Sequence, residues 1–275
     1  MASPADPGAT PASGPEARPL AGHSAVITGG GRGIGAAIAR RLAREGAAIA
    51  VSARSVEQIE AVAEELRRAG HRAVAIACDV TDPAQVQQLA TRATEELGRI
   101  DVLINNAGVA SSAPLKALTL EEWNRLFAVN ATSTFLCTQA FLPGMLAGGW
   151  GRVVNVASIA GLTSAPYITA YSAAKHAVVG FTRCLAAEVA ERGVTVNAVC
   201  PGYVDTDMAR FAVDRIMAKT GMPEDQAVRH LVGTNPQGRL LAADEVAHLV
   251  ASLCHPLAAG IHGQAIAQDG GALLA

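Results

Sequence analysis

The sequence predicts one α/β domain with a doubly wound parallel sheet and helices on both faces, and three observations support this fold class. Short apolar runs alternate with amphipathic stretches from Ser24 almost to the last residue. The runs are nearly continuous in apolar residues, as in strands that are buried on both faces. The chain has 275 residues, half of them hydrophobic, which is enough to bury one such core. Right-handed βαβ crossovers then give a single Rossmann-like domain.

Seven apolar runs are the strand candidates: Ser24–Thr28, Ala47–Ser52, Ala73–Ala77, Val102–Asn105, Arg152–Ala157, Val194–Val199 and Gln264–Gln268. Between them lie helical patterns such as VEQIEAVAEELRRAG and PAQVQQLATRATEELG, each of which ends in glycine, a common stop signal. Asp82, directly before Pro83, is predicted to cap the start of the second of these helices. A third pattern, YSAAKHAVVGFTRCLAAEVAERG, predicts a long helix that begins near Tyr171.

Composition divides the chain at about residue 21. Pro, Ala, Gly and Ser dominate residues 1–21, which lack the apolar segment of a secretory signal, so we expect a flexible tail before a domain at 22–275. A net charge of −2 and the absence of an 18-residue apolar run favour neither nucleic acid nor membrane as a partner. The five scattered cysteines predict reduced thiols, a cytoplasmic location and no metal site.

The stretch TGGGRGIG at residues 28–35 joins the first strand to the first helix. A strand that runs into glycines and then a helix presents free N–H groups and a positive dipole end at one place, which suits a pyrophosphate. Glycine lets the turn tighten and lets the phosphate approach the backbone. The loop therefore predicts nucleotide binding, and the alternative is a tight turn without a ligand.

Charges near the end of the second strand indicate which nucleotide binds. A carboxylate at this place binds the ribose of NAD, whereas an arginine accommodates the 2′-phosphate of NADP. Here Arg54 and Ser55 follow the strand, and the first carboxylate is Glu57. Arg32 lies in the facing glycine loop, so both guanidinium groups are predicted to meet the phosphate of NADP(H). The alternative is that both arginines are solvated surface residues.

Several motifs in the chain, taken in order, resemble those of the short-chain dehydrogenase/reductase family. They are Thr28, Gly29, Gly33 and Gly35 in TGxxxGxG, Asp79 in CDV, Asn105–Gly108 as NNAG, Asn130, Ser158, Tyr171 and Lys175 in YSAAK, and Pro201-Gly202. The resemblance extends from about Gly22 to the end of the chain. The run from SAAKHAVVGFT to VTVNAVCPGYVDTDM is most similar to β-ketoacyl reductases, including aromatic polyketide ketoreductases.

This resemblance implies a set of cofactor-binding residues. The backbone of Gly29–Ile34 would hold the phosphates, Asp79 and Val80 would flank the adenine, and Asn105 would lie beside the adenosine ribose. Asp79 as a helix cap and Asn105 as part of a turn are the structural alternatives. The predicted set for NADP(H) is Thr28, Gly29, Gly31, Arg32, Gly33, Ile34, Arg54, Ser55, Asp79, Val80, Asn105, Tyr171, Lys175, Pro201, Gly202, Val204 and Thr206, with the last two near the nicotinamide carboxamide and a phosphate.

Tyr171 and Lys175 are four residues apart in a predicted helix and so share one face. Because a nearby ammonium and the positive nicotinamide ring favour the phenolate, we expect Lys175 and the cofactor to lower the pKa of Tyr171, which then acts as general acid or base. The family resemblance implies that Ser158 binds the substrate oxygen, that Lys175 also binds the nicotinamide ribose, and that Asn130 holds a proton-relaying water.

The predicted reaction is the NADP(H)-dependent reduction of a ketone to a secondary alcohol. The alternatives are oxidation of a secondary alcohol by the same residues and a non-enzymatic NADP-binding scaffold or sensor. A hydrolase is disfavoured because the chain has no GxSxG motif.

Substrate choice is predicted to come from a lid at about residues 203–238, which is rich in Met, Phe, Leu and Val. Core packing is the alternative role for these apolar residues. The predicted substrate-binding residues are Ser158, Tyr167, Tyr171 and Tyr203. The predicted substrate is a 3-oxoacyl thioester, on coenzyme A or an acyl carrier protein, or a related aromatic or alicyclic ketone. By resemblance we also expect a homotetramer, in which helices over Glu121–Leu146 and Tyr171–Arg192 pack against symmetry mates.

Overall fold

Seven parallel strands form one sheet in the order β3-β2-β1-β4-β5-β6-β7 in the computed structural model, which describes residues 18–233 and 235–274. The strands are β1 Ser24–Thr28, β2 Ala48–Ala53, β3 Ala73–Ala77, β4 Val102–Asn105, β5 Gly151–Val156, β6 Val194–Pro201 and β7 Ala265–Gln268. The seven predicted strands are confirmed, with ends that differ by at most two residues. The strand order reverses between β1 and β4, and ligands bind at such a switch point in doubly wound folds.

Nine α-helices flank this sheet in the described part of the chain. They are α1 Gly33–Arg44, α2 Val56–Arg68, α3 Pro83–Leu97, α4 Leu120–Phe127, α5 Ser133–Gly148, α6 Thr169–Val189, α7 Asp207–Thr220, α8 Glu224–Val232 and α9 Ala243–Cys254. One buried apolar cluster lies between the sheet and α1, α2 and α9, and another lies between the sheet and α3, α5 and α6. The predicted cap of α3 is confirmed, because the Asp82 carboxylate accepts the N–H groups of Ala84 and Gln85.

The single helix predicted over Glu121–Leu146 is wrong in one respect. A π-helical turn at Ala128–Thr132 separates α4 from α5 and contains Asn130. Such a turn widens the helix locally and is frequent at functional sites. Apolar periodicity does not reveal it, because one inserted residue shifts the pattern only slightly.

The described residues just before position 22 pack against the core. Residues 1–17 of the predicted tail lie outside the described residues, but Leu20 is fully buried in the core beneath α1. Its N–H donates to the Glu45 carbonyl at 2.9 Å. An apolar side chain just before the predicted boundary at residue 21 therefore contributes to the core.

The lid predicted at about 203–238 contains α7 and α8 and is anchored at its base. Leu241 N–H donates to the Tyr203 carbonyl at 2.9 Å, and Asp205 N–H donates to the Leu241 carbonyl at 2.8 Å. Val204 and Leu241 thereby form a parallel bridge next to the sheet. In the described ranges, none of the helices has the length and apolar character needed to cross a membrane.

Candidate active site

The glycine loop after β1 turns so tightly that side chains would not fit in it. Gly29 has a φ of +62°, in the left-handed region that favours glycine. A Cβ added to Gly35 would lie only 2.2 Å from the Gly29 carbonyl oxygen. Arg32, the N-cap residue of α1, provides no side-chain cap to that helix. Among the described residues, the first-turn N–H groups of α1 therefore lack a capping side chain, which is the arrangement that receives a phosphate.

Thr28 and Asn106 fix this loop to the segment after β4. The Thr28 hydroxyl donates to the Ile104 carbonyl at 3.3 Å and accepts the N–H groups of Asn106 and Ala107 at 3.0 and 3.1 Å. The Asn106 amide donates to the Thr28 and Gly29 carbonyls at 3.0 and 3.1 Å. The buried Thr28 side chain thus acts within the protein, and Asn106 is a positioning residue absent from the predicted set. The position of Asn106 within the NNAG motif is the sequence feature that could have identified this role.

The Asn105 side chain points into the protein, away from the cleft. Its amide donates to Thr138 Oγ1 on α5 at 3.0 Å and to Asn155 Oδ1 on β5 at 2.9 Å. Asn155 in turn donates to Thr182 Oγ1 on α6 at 2.8 Å. The Asn105 side chain therefore belongs to a network that joins β4 and β5 to two helices, and the predicted position of Asn105 beside a ribose stays a prediction.

Ser158, Tyr171, Lys175 and Asn130 converge at the carboxyl edge of the sheet. Ser158 follows β5, and α6 supplies the tyrosine and the lysine. Lys175 is 4% exposed, its Nζ donates to the Val156 carbonyl at 2.9 Å, and it lies 5.9 Å from the centre of the Tyr171 ring. A Cβ on Gly108 would lie 2.9 Å from Asn130 Oδ1 and 3.6 Å from Lys175 Nζ. Asn130 and Lys175 therefore flank the NNAG segment next to Tyr171.

The surroundings of Tyr171 within the chain act on its pKa in both directions. Burial raises the pKa of Tyr171, and a hydrogen bond to Ser158 acts in the opposite direction. Burial also lowers the pKa of Lys175 to about 8. Loss of solvation is thus the largest effect on the Tyr171 pKa, and the Lys175 ammonium is bound to the Val156 carbonyl. In this structure the Tyr171 hydroxyl is protonated at neutral pH and can donate that proton.

Asn130 fixes the segment that follows β4. Its side-chain oxygen accepts the Val109 N–H at 3.1 Å, and its amide donates to the carbonyls of Val109 and Leu126, each at 2.9 Å. The π-helical turn thereby positions the backbone at the entrance to the cleft. The predicted relay water at Asn130 stays a prediction.

Arg32 and Arg54 have different neighbours. Arg32 Nη1 is 3.0 Å from Asp207 Oδ2 in an exposed ion pair with the first residue of α7. Arg54 is exposed at the end of β2. Hydrogen bonding by the Thr81 backbone lowers the pKa of Asp79, and the charge of Arg54 contributes to that lowering. The structure therefore shows a partner for Arg32 that the sequence analysis missed, since no local pattern connects residues so far apart.

The remaining predicted cofactor residues surround the same cleft. A Cβ on Gly33 would lie 3.3 Å from Thr206 Cγ2, so the starts of α1 and α7 face each other. Ser55 Oγ caps α2 by accepting the Gln58 N–H at 3.4 Å. The side chains of Val80 and Val204 are buried, which leaves their backbone groups for a ligand.

Two tyrosines and several apolar residues of the predicted lid are exposed on the surface. Tyr167 is 63% exposed with a φ of +72°, and its carbonyl accepts the Ala113 N–H at 2.8 Å. Tyr203, Met208 and Phe211 are also exposed. Other side chains of the predicted lid, such as that of Val213, are buried. The apolar residues of this segment are therefore divided between the core and the surface. A tyrosine held in the left-handed region is strained, and such strain is concentrated at functional sites.

A metal centre receives no support from the part of the chain that the structure describes. Within residues 18–233 and 235–274, no group of three His, Cys, Asp or Glu side chains has a metal-binding arrangement. All five cysteines are free, and only Cys184 among them is exposed. The side chains at the cleft include the serine, tyrosine and lysine described above.

Comparisons with known proteins agree with this site. A family model described as short chain dehydrogenase matches residues 23–216. A putative ketoacyl reductase of Streptomyces coelicolor is 39% identical over 90% of this chain and 95% of its own length. D-threitol dehydrogenase of Mycolicibacterium smegmatis is 41% identical over 92% of this chain and 93% of its own. A crystal structure of an actinorhodin polyketide ketoreductase variant with NADPH superposes with a TM-score of 0.87 at 38% identity, covering 91% of this chain and 97% of that one.

Proposed function

This chain belongs to the short-chain dehydrogenase/reductase family and is an oxidoreductase of secondary alcohols or ketones, and from that premise we propose that it reduces a ketone with NADP(H). The observation that carries the proposal is the convergence of Ser158, Tyr171 and Lys175 beside the glycine loop. A scaffold or sensor would not need a buried lysine under a tyrosine hydroxyl at the same edge of the sheet.

The charges around the cleft support NADP(H) as the cofactor. No carboxylate directly follows β2, where Arg54 is exposed and Ser55 begins α2. The solved ketoreductase variant, similar over nearly the whole chain, contains NADPH. The first-turn N–H groups of α1 would hold the pyrophosphate, and Arg54 with Arg32 would bind the 2′-phosphate. When bound, the cofactor supplies the hydride.

The side chains at the edge of the sheet would orient the substrate and move one proton. Ser158 Oγ accepts the Ala160 N–H at 3.1 Å, and its hydroxyl, which is hydrogen-bonded to Tyr171 in the structure, would donate to the substrate carbonyl oxygen instead. Tyr171 would give its proton to that same oxygen. Lys175, charged below its pKa of about 8, would stabilise the phenolate that remains.

The exposed apolar side chains favour an apolar substrate. Tyr167, Tyr203, Met208 and Phe211 would contact an acyl or aryl group, at about 0.8 kcal/mol per buried methylene. We therefore propose a 3-oxoacyl thioester, on coenzyme A or an acyl carrier protein, or an aromatic or alicyclic ketone. Oxidation of a secondary alcohol is the second candidate, favoured by the similarity to D-threitol dehydrogenase.

The proposal includes an assembly and a location. Exposed Phe135 on α5 and Cys184 on α6 would lie in contacts of a homotetramer. Five free thiols support a reducing, cytoplasmic environment. Residues 22–275 would form one domain, and α7 with α8 would form the substrate lid.

A substrate comparison tests the proposed reaction. NADPH oxidation is measured with acetoacetyl coenzyme A, an aryl ketone and a ketose, and we expect higher kcat/KM for one of the first two. Phe211→Ser should reduce that preference, whereas Leu257→Ser, which removes an exposed apolar side chain after α9, should leave it unchanged. A clear preference for the ketose would contradict the apolar lining.

A further inference from the structure

The ion pair of Arg32 and Asp207 connects the glycine loop to the lid. Arg32 is the N-cap residue of α1, and Asp207 is the first residue of α7. The 3.0 Å contact between Arg32 Nη1 and Asp207 Oδ2 closes the side of the cleft where the two helices begin. Arg32 is also one of the two cations proposed above for the 2′-phosphate, so one guanidinium has two competing acceptors.

We propose that Asp207 is a specificity-determining residue that holds Arg32 until the 2′-phosphate of NADP(H) replaces it. This inference rests on the proposed use of NADP(H). NAD(H) has no 2′-phosphate, so Arg32 remains bound to Asp207 when NAD(H) occupies the cleft. Binding of NADP(H), and not of NAD(H), therefore releases the start of α7 from the glycine loop.

The existing ion pair is weak enough for such an exchange. Both side chains are about two-thirds exposed or more, at 66% and 73%, and exposed ion pairs contribute little to stability. A phosphate monoester carries more negative charge than a carboxylate at neutral pH and presents three acceptor oxygens. Arginine binds such a group through two parallel hydrogen bonds. The guanidinium therefore binds the phosphate more strongly than it binds the carboxylate.

Asp207 remains stabilised after Arg32 has left. It lies in the first turn of α7, where the positive end of the helix dipole favours a carboxylate. Arg210, one turn further along, is bound to Asp205 at 3.0 and 3.3 Å. Asp205 has the largest effect in raising the pKa of Arg210, and the negative charge of Asp207 raises that pKa further. The bridge between Val204 and Leu241 keeps the base of the lid attached to the sheet. The exchange thus frees only the first turn of the lid.

A double-mutant cycle on the full chain tests the competition. Dissociation constants for NADPH and NADH are measured for the wild type, Asp207→Asn, Arg32→Gln and the double variant. Asp207→Asn should tighten NADPH binding about two- to fivefold and change the NADPH-to-NADH ratio, because it removes the competitor of the phosphate. In the Arg32→Gln background the same change should have no effect on that ratio. Asp205→Asn, which removes the partner of Arg210, is the matched control and should leave the ratio unchanged.

The outcomes separate this inference from the proposed function. Equal affinities of the wild type for NADPH and NADH would contradict the proposed NADP(H) use itself. A preference for NADPH that Asp207→Asn leaves unaltered would overturn the competition alone. Asp207→Asn could increase the affinities for NADPH and NADH equally, or its effect could persist in the Arg32→Gln background. Either result would mean that Asp207 acts on the cofactor by direct repulsion and would also overturn the competition.

Amide hydrogen exchange gives a second readout that does not depend on activity. In the wild type, residues 207–210 should exchange faster with saturating NADPH than with saturating NADH. In Asp207→Asn the two cofactors should give the same exchange. Identical exchange with both cofactors in the wild type would contradict the release of α7.

Discussion

Replacing Gly35 by alanine should damage both the fold and the cofactor site, because the glycine loop has no space for a methyl group. The added Cβ would lie 2.2 Å from the Gly29 carbonyl oxygen and 2.5 Å from Asn106 Nδ2, whereas real Cβ contacts are essentially never shorter than 3.0 Å. The Gly29 carbonyl would have to move by most of an ångström. It accepts a hydrogen bond from the Asn106 amide at 3.1 Å, so the movement breaks the contact that fixes the loop.

The expected loss of stability follows from these contacts. Overpacking costs about 1–3 kcal/mol and a broken hydrogen bond about 0.5–1.5 kcal/mol, while alanine gains about 1 kcal/mol over glycine within a helix. The net decrease in the free energy of unfolding should be about 1–3 kcal/mol. The displaced peptide groups should also weaken NADPH binding by about tenfold or more, which corresponds to one charge-assisted hydrogen bond.

Urea denaturation and NADPH titration of Gly35→Ala measure both effects. Gly260→Ala is the control, because an added Cβ there has no atom within 4 Å among the described residues and Gly260 lies away from the cleft. A Gly35→Ala protein with wild-type stability and wild-type NADPH affinity would refute the close approach of Gly35 to Gly29 on which the loop geometry depends.

Three further predictions concern charge and reactivity. Arg54→Asp should invert the preference for NADPH over NADH, because it places a negative charge against the 2′-phosphate, and equal dissociation constants in the wild type would contradict the premise. The kcat/KM for ketone reduction should fall as pH rises through about 8, because Lys175 is charged only below its lowered pKa, and a profile that stays flat to pH 10 would exclude that role. A thiol reagent should modify Cys78, Cys137, Cys200 and Cys254 only after unfolding, since all four are buried within the chain; fast reaction of any of these thiols in the native protein would contradict their burial.

The sequence predicted the strands and the catalytic convergence because both follow from local rules. A parallel strand that is buried on both faces must be apolar along its length, and parallel strands bring residues after their carboxyl ends to one edge. Ser158 after β5 and Tyr171 with Lys175 on one face of α6 meet at that edge for this reason.

The features that escaped prediction depend on tertiary surroundings. The raised pKa of Tyr171 results from burial, which a sequence does not show. The partner of Arg32 is on a helix 175 positions away. The side chain of Asn105 is directed inward by Thr138 and Asn155, and the side chain of Asn130 in the π-helical turn is bonded to the backbone of Val109 and Leu126. Each of these requires knowledge of which elements are neighbours in space.

The central claim, that Tyr171 donates the proton in an NADPH-dependent ketone reduction, is tested most directly by Tyr171→Phe. The change removes one hydroxyl and leaves the glycine loop, Arg54 and Lys175 in place. Turnover of acetoacetyl coenzyme A or an aryl ketone should fall by about 10²- to 10⁴-fold, while the dissociation constant for NADPH stays at the wild-type value. Turnover near the wild-type rate in Tyr171→Phe would contradict the account.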